Sequence, residues 1–186
     1  MQWVSSNSHN ETIETIGPLL SLTEYAVLGV LAEAPAHGFA LSRDLGPNGF
    51  AGRILTVRRP LVYRALDRLV AEGLAAPKRT EAGVAGPQRV IHRITPKGKR
   101  TLRRWLDEPV EHVREIRIAF QLKLALLERL RLSPLVLLEA QAQALGSTLA
   151  ALDSPDASRS DHLELWRRYN AKAAASYLND LKSLYV

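Results

Sequence analysis

Three features of the sequence predict a mainly α fold, with an N-terminal winged helix-turn-helix that carries a small β-hairpin wing and a helical C-terminal half. A capped apolar helix begins at Ser21, a proline-initiated amphipathic helix at Pro60 leads into a segment of alternating character, and from about Val113 onward Leu and Ala recur at helical spacing. Helix, helix, helix, hairpin is the order of segments in a winged helix-turn-helix, and several apolar helical stripes in succession need one another as partners.

Residues 1–20 read as a polar, flexible arm. Ser21-Leu22-Thr23-Glu24 is a capping box, in which hydroxyl and carboxylate each satisfy an orphan N–H at a helix start. Tyr25, Leu28, Leu31 and Ala32 then give one apolar face, and Pro35 stops the run. A short second helix fits Gly38 to Leu45, with His37 as a capping or core-edge residue, before the Gly46-Pro47-Asn48-Gly49 turn.

Pro60 sits in the first turn of a third helix, where its missing N–H costs nothing, and Gly73 is suited to the C-terminal cap. Val62, Leu66, Leu69 and Val70 form its apolar back. Arg58, Arg59, Tyr63, Arg64 and Arg68 line its front or its N-terminal end, and Arg68 is spaced to pair with Glu72 on the same helix. Leu74–Arg79 and Gln88–Thr95 read as the strands of a hairpin, with a Gly/Ala-rich loop from Thr80 to Pro87 between them. Thr95-Pro96 is an N-cap followed by an N1 proline, which predicts a further helix to about Glu108, closed by Pro109.

Three more helices are expected after Val113, broken at Ser133-Pro134 and at Asp153–Ser158. Ile116, Phe120, Leu124 and Leu127 make a stripe on the first; Leu138, Leu145, Leu149 and Leu152 repeat at about seven residues on the second; Leu163, Trp166, Tyr169, Ala173, Tyr177 and Leu184 lie along the third. Such stripes imply a helical bundle or a subunit contact. The expected organisation is thus an arm (1–20), a winged helix-turn-helix domain (21–109) and a C-terminal helical dimerisation domain (110–186).

Charge is concentrated. Between Arg53 and Arg104 there are 14 Lys or Arg against three acids, a net charge of +11, whereas the remainder holds 11 basic and 16 acidic residues, a net charge of −5. A local excess of that size on a helix and hairpin points to a polyanion, with double-stranded DNA the natural partner. The chain has no Cys, which excludes disulfides, thiolate metal sites and thiol redox sensing. No signal-peptide pattern and no stretch near the ~20 apolar residues of a membrane span is found, so a cytoplasmic location without membrane contact is expected. Asp161-His162-x-Glu164 and His112-x-x-Glu115 lack metal-site spacing, and there is no phosphate-binding glycine loop or nucleophile elbow. No catalytic residue, metal or cofactor is assigned.

The segments LTEYAVLGVLAEAPAHGFAL (Leu22–Leu41), VYRALDRLVAEGL (Val62–Leu74) and RVIHRITPKGKRTLRRWLDEP (Arg89–Pro109) resemble the PadR-like transcriptional regulators. The resemblance covers most of residues 21–109 and includes His-Gly-Phe at 37–39 and the Tyr-x-x-Leu-x-x-Leu pattern from Tyr63. Ile116–Gln141 and Leu165–Leu181 are similar to the helical domain of the longer members, the virulence activator alpha C-terminal domain. The resemblance implies a homodimer that binds a palindromic operator as a repressor and releases it on binding a small-molecule effector. One departure lies just before Tyr63: the family has small or polar residues there, whereas this chain reads Arg58-Arg59-Pro60-Leu61-Val62, so no operator sequence carries over.

On these grounds DNA contact is expected from Arg58, Arg59, Tyr63 and Arg64 in the major groove and from Lys78, Arg79, Arg89 and Arg93 in the wing. Lys97, Lys99, Arg100, Arg103 and Arg104 divide evenly between backbone contact and solvated surface. The dimer contact is expected from Phe120, Leu124, Leu127, Leu138, Leu145, Leu149, Trp166, Tyr169 and Tyr177. Trp105, Trp166, Tyr169 and Tyr177 read first as core or interface residues. An effector pocket, where one forms, belongs between the winged domain and the C-terminal helices or across the two-fold axis. The alternative is a helical adaptor or scaffold that uses the winged domain for protein contact, since fold alone does not separate the two.

Overall fold

The computed structural model describes residues 19–81, 88–152 and 161–185. Among them are seven α-helices and three strands: α1 (Leu22–Glu33), β1 (Ala36–His37), α2 (Gly38–Asp44), α3 (Arg59–Ala71), β2 (Ala75–Glu81), β3 (Arg89–Ile94), α4 (Pro96–Asp107), α5 (Ala119–Arg129), α6 (Leu135–Leu152) and α7 (His162–Ser183), with a 3-10 turn at Val113–Arg117. The expected arm (residues 1–18 of it), the loop tip at 82–87 and the break from Asp153 to Ser158 lie outside the described residues.

The expected caps are formed. The Ser21 hydroxyl accepts from the Glu24 N–H at 3.3 Å while the Glu24 carboxylate accepts from the Ser21 N–H at 2.6 Å. His37 caps α2 through Nδ1, which accepts from the Ala40 N–H at 3.1 Å, and Thr95 caps α4 by accepting from the Gly98 N–H at 3.0 Å. Beyond α3, Gly73 adopts φ 68, the left-handed conformation that ends a helix.

The sheet is antiparallel in the order β1-β3-β2. β1, two residues long and without a readable period, was not expected; it pairs Ala36 with His92 and His37 with Ile91. On the other side Ala75 faces Ile94 and Glu81 faces Arg89, with a bulge between Pro77 and Arg79. Pro77 is tolerated because β2 is an edge strand and a proline has no N–H to give the ladder.

α1 departs from the one-faced helix expected. Ala26, Val27, Leu28, Gly29, Val30 and Leu31 are all buried, so its middle is enclosed on every side, as a central helix must be. α5 lies against it so closely that a Cβ on Gly29 would stand 2.3 Å from a methyl of Leu126. α3, α4 and the sheet occupy its other sides, and the Tyr25 and Trp105 rings stack at 4.1 Å with 8° between their planes.

Arg68 corrects a second expectation. It pairs not with Glu72 but with the buried Glu24 of α1, at 3.0 Å, and donates to the Leu19 carbonyl at 3.0 Å. Removing it leaves a desolvated carboxylate without its cation. Arg68→Ala is therefore expected to lower stability by about 1–2 kcal/mol, discounted for the half-exposed arginine, with Glu72→Ala close to neutral. Urea unfolding of the two variants checks this, and equal losses would restore the Arg68–Glu72 pair.

The two halves share packing. One continuous buried cluster runs from Leu20 and α1 through α4, α5 and α6 to Ala171, Ala174 and Leu178 of α7, across the boundary expected at residue 109. Arg129 of α5 pairs with Glu33 at the end of α1 and, at 2.9 Å, with Asp44 at the end of α2. The Gln141 side chain closes a pair of hydrogen bonds with the Val110 backbone at 2.8 and 3.1 Å.

Lys123 of α5 donates to the Trp105 and Glu108 carbonyls at the end of α4, the latter at 2.6 Å, with its ammonium 4.5 Å from the Trp105 ring centre. Burial outweighs the attraction of Glu108 and pushes its pKa down from 10.5 to about 8. The unfolded lysine therefore binds more protons than the folded one between these values, so this residue's contribution to stability rises with pH from about 8 to 10.5. Wild type is expected to gain stability over Lys123→Met across that window in denaturant titrations. Parallel pH profiles would show that Lys123 is not the source.

The same packing covers, within the chain, part of the stripes from which the dimer contact is expected. Phe120, Leu127, Leu138 and Leu145 are buried in the chain's own core, with Leu124 and Leu149 packed against it. Tyr177 is half-buried and hydrogen-bonded to Gln121 at 3.1 Å. The first four are enclosed within the folded chain, whereas Leu124, Leu149 and Tyr177 keep partial exposure.

Candidate nucleic-acid interface

α3 is the element that aims the basic front. Val62, Ala65, Leu66 and Leu69 fix its back to the core, leaving Arg58, Arg59, Tyr63 and Arg64 exposed. Arg58 occupies the N-cap and makes no capping bond with its side chain. It thus stands where the unpaired N–H groups and dipole of the helix start favour an anion.

Arg59 is held from two sides. Its guanidinium carbon lies 5.4 Å from the centre of the Phe39 ring and 5.5 Å from that of Tyr63, and its Nη2 donates to the Tyr63 hydroxyl at 3.5 Å. Tyr63 in turn rests on the start of α2, where a Cβ on Gly38 would come within 2.6 Å of the ring.

In the wing, Lys78 at the bulge, Arg89 and Arg93 are exposed. Arg79 is also exposed, but its guanidinium pairs with Glu81 at 2.6 Å, which offsets much of its charge. On α4, Lys97 donates to the Glu72 carbonyl at 2.9 Å and so finishes α3, and Arg103 pairs with Asp107 at 2.7 Å. Lys99, Arg100 and Arg104 are exposed.

Helix and wing meet around a cleft of about 470 Å³, where Arg59, Tyr63 and Asp67 of α3 face Arg89, Val90 and His92 of β3, with His37 and Phe39 at one end. Burial lowers the His92 pKa below its ordinary value, which favours the neutral imidazole there. Sequence reasoning had not placed Phe39, Asp67, Val90 or His92 at this site. The His-Gly-Phe motif was the available signal, yet an aromatic residue at a helix start reads as core until a structure shows it outside.

Residues 27–104, which contain α3, the wing and most of α4, match the sequence profile of the Transcriptional regulator PadR-like family. The chain carries a PadR-like domain. The matched segment includes every groove and wing residue named above. No curated protein matches the chain significantly. Among solved structures, Bacillus subtilis PadR in complex with operator DNA is similar at 20% identity, over 89% of this chain and 100% of that one, with a TM-score of 0.47. The Streptococcus mutans UA159 protein smu.1604c is similar at 16% identity over 86% and 98%, TM-score 0.42. A second structure of Bacillus subtilis PadR is similar at 18% identity over 88% and 94%, TM-score 0.40.

Outside the PadR-like domain, α7 and its end present Leu163, Leu165, Trp166, Tyr169, Leu184 and Tyr185 to solvent. Trp166 also lines a cleft of about 360 Å³ with Glu111, His112, Val113, Arg114, Thr148, Arg167 and Asn170, between the segment after α4 and helices α6 and α7. Among the described residues, no helix is long and apolar enough to cross a membrane, and no group of acidic and imidazole side chains is arranged to hold a metal ion.

Proposed function

We propose that the protein is a cytoplasmic, homodimeric repressor that binds a palindromic operator through residues 21–109, dimerises through residues 110–186 and releases DNA on binding a small molecule. The observation that carries the DNA reading is the cleft where Arg59 and Tyr63 of the helix meet Arg89 of the wing. Arg58 and Arg64 are also exposed on α3, and Lys78 and Arg93 on the hairpin, so both elements that enter or follow a groove present cationic side chains to solvent. Arginine supplies bidentate contact to guanine, and the remaining cations supply attraction to phosphate. Two such surfaces related by a two-fold axis suit half-sites about 34–36 Å apart, or a multiple of that.

The exposed aromatic side chains of α7 support the dimer, since Trp and Tyr on a surface helix are the anchors that subunit contacts favour. The cleft beside Trp166 supports an effector site within the C-terminal half, where all its lining residues lie, because it mixes one aromatic ring with charged and polar groups.

Fluorescence anisotropy of the purified protein with DNA from upstream of its own gene, over a series of salt concentrations, tests the reading. Saturable, sequence-preferring binding whose logarithm falls with log salt by about 0.9 per phosphate neutralised is expected. A shallow slope without sequence preference would favour the adaptor alternative.

A further inference from the structure

The Arg59 guanidinium lies over two aromatic rings, and one of them comes from outside the recognition helix. Phe39, the second residue of α2, is 52% exposed and takes no part in the buried cluster. An apolar ring on a basic surface that stabilises no core calls for another role. Its neighbours hold it in place: the His37 ring is 6.3 Å away at an interplanar angle of 25°, and His37 is fixed as the N-cap of α2. Opposite, Gly38 admits the Tyr63 ring that forms the second support of Arg59. We propose that Phe39 is a positioning residue, which holds the Arg59 guanidinium in the orientation needed to read a base and so sets sequence discrimination without touching the base itself. This rests on the DNA-binding reading above.

The physical basis is the difference between two kinds of attraction. Coulomb attraction to phosphate acts for almost any orientation of the guanidinium, whereas a bidentate bond to guanine requires the plane and both donors in register. An unsupported arginine must lose its side-chain freedom on binding, and one already stacked has less to lose. Phe39 carries no charge, so its loss removes orientation and leaves the electrostatic contribution in place.

The test uses the full chain with a duplex that wild type selects from a random-sequence pool and a scrambled duplex of the same length. Dissociation constants at several salt concentrations are measured for wild type, Phe39→Ala, Phe39→Leu, Phe39→Tyr and Arg59→Lys, with thermal melting of each variant. Phe39→Ala and Phe39→Leu are expected to reduce the preference for the selected duplex by about three- to thirtyfold, the range set by loss of one cation–ring contact. The salt slope stays at the wild-type value, and Phe39→Tyr restores the preference. Phe39→Leu keeps the apolar bulk, so a common loss in both variants separates the aromatic face from folding. The proposal is overturned if both retain wild-type preference while Arg59→Lys loses it, if they weaken both duplexes equally, or if Phe39→Tyr fails to restore discrimination. Were wild type itself to show no preference between duplexes, the DNA reading would fail and the proposal with it.

Discussion

Replacing Arg58 and Arg59 together by glutamate is expected to weaken binding to a preferred duplex by about two orders of magnitude or more, with little change in melting temperature. Each arginine stands at the exposed start of α3, where the helix dipole already favours phosphate. A hydrogen bond to a charged partner contributes about 1.5–3 kcal/mol, and reversal adds repulsion to that loss. Both protomers of a dimer lose the contacts at once. The salt dependence should become shallower as well, because fewer counterions are released. Arg79→Glu is the internal comparison: Glu81 already offsets that charge, so its effect should be several times smaller. Anisotropy titrations of the three proteins decide the matter, and an unchanged dissociation constant in the double variant would remove α3 as the groove element.

The second large effect is expected at α7. Trp166 and Tyr169 are 57% and 68% exposed, and glutamate at both should convert the proposed dimer to monomer. Aromatic anchors at the centre of an interface contribute about 2 kcal/mol or more apiece, and burying two new carboxylates opposes association further. Operator affinity should fall with the dimer, because one protomer reaches one half-site. Light scattering on a size-exclusion column gives the mass directly. Phe120→Ala is the counterpart, since its side chain is wholly enclosed within its own chain. It should cost about 3–5 kcal/mol of folding stability, appearing as early unfolding rather than as dissociation of folded subunits. A dimer that persists in the Trp166/Tyr169 variant would place the contact elsewhere.

Much of this protein was determined by local chemistry that a sequence displays. The capping box at Ser21, the Thr95-Pro96 start of α4 and the proline at the head of α3 act within four residues, so their outcome does not depend on what packs nearby. The excess of basic residues between Arg53 and Arg104 is likewise visible as a count, and with it the ground for proposing a polyanionic partner. Only the tertiary structure decided which of those charges remain available. Arg68 is drawn to Glu24, 44 residues away, and Lys97 to the carbonyl of Glu72, neither a neighbour that spacing along a helix identifies.

The same holds for the apolar stripes. Heptad-like recurrence at Leu138, Leu145 and Leu149 states that a face will be covered, and it reads identically for cover by the chain itself or by a second copy. Packing of α5 on Gly29 and burial of Phe120 assign most of that cover to the chain itself and leave the aromatic face of α7 outside. Phe39 shows the converse, a residue of core type held outside the core because Arg59 and Tyr63 meet at the start of α2. Periodicity records which side chains avoid water; only the assembled elements determine what they avoid it against.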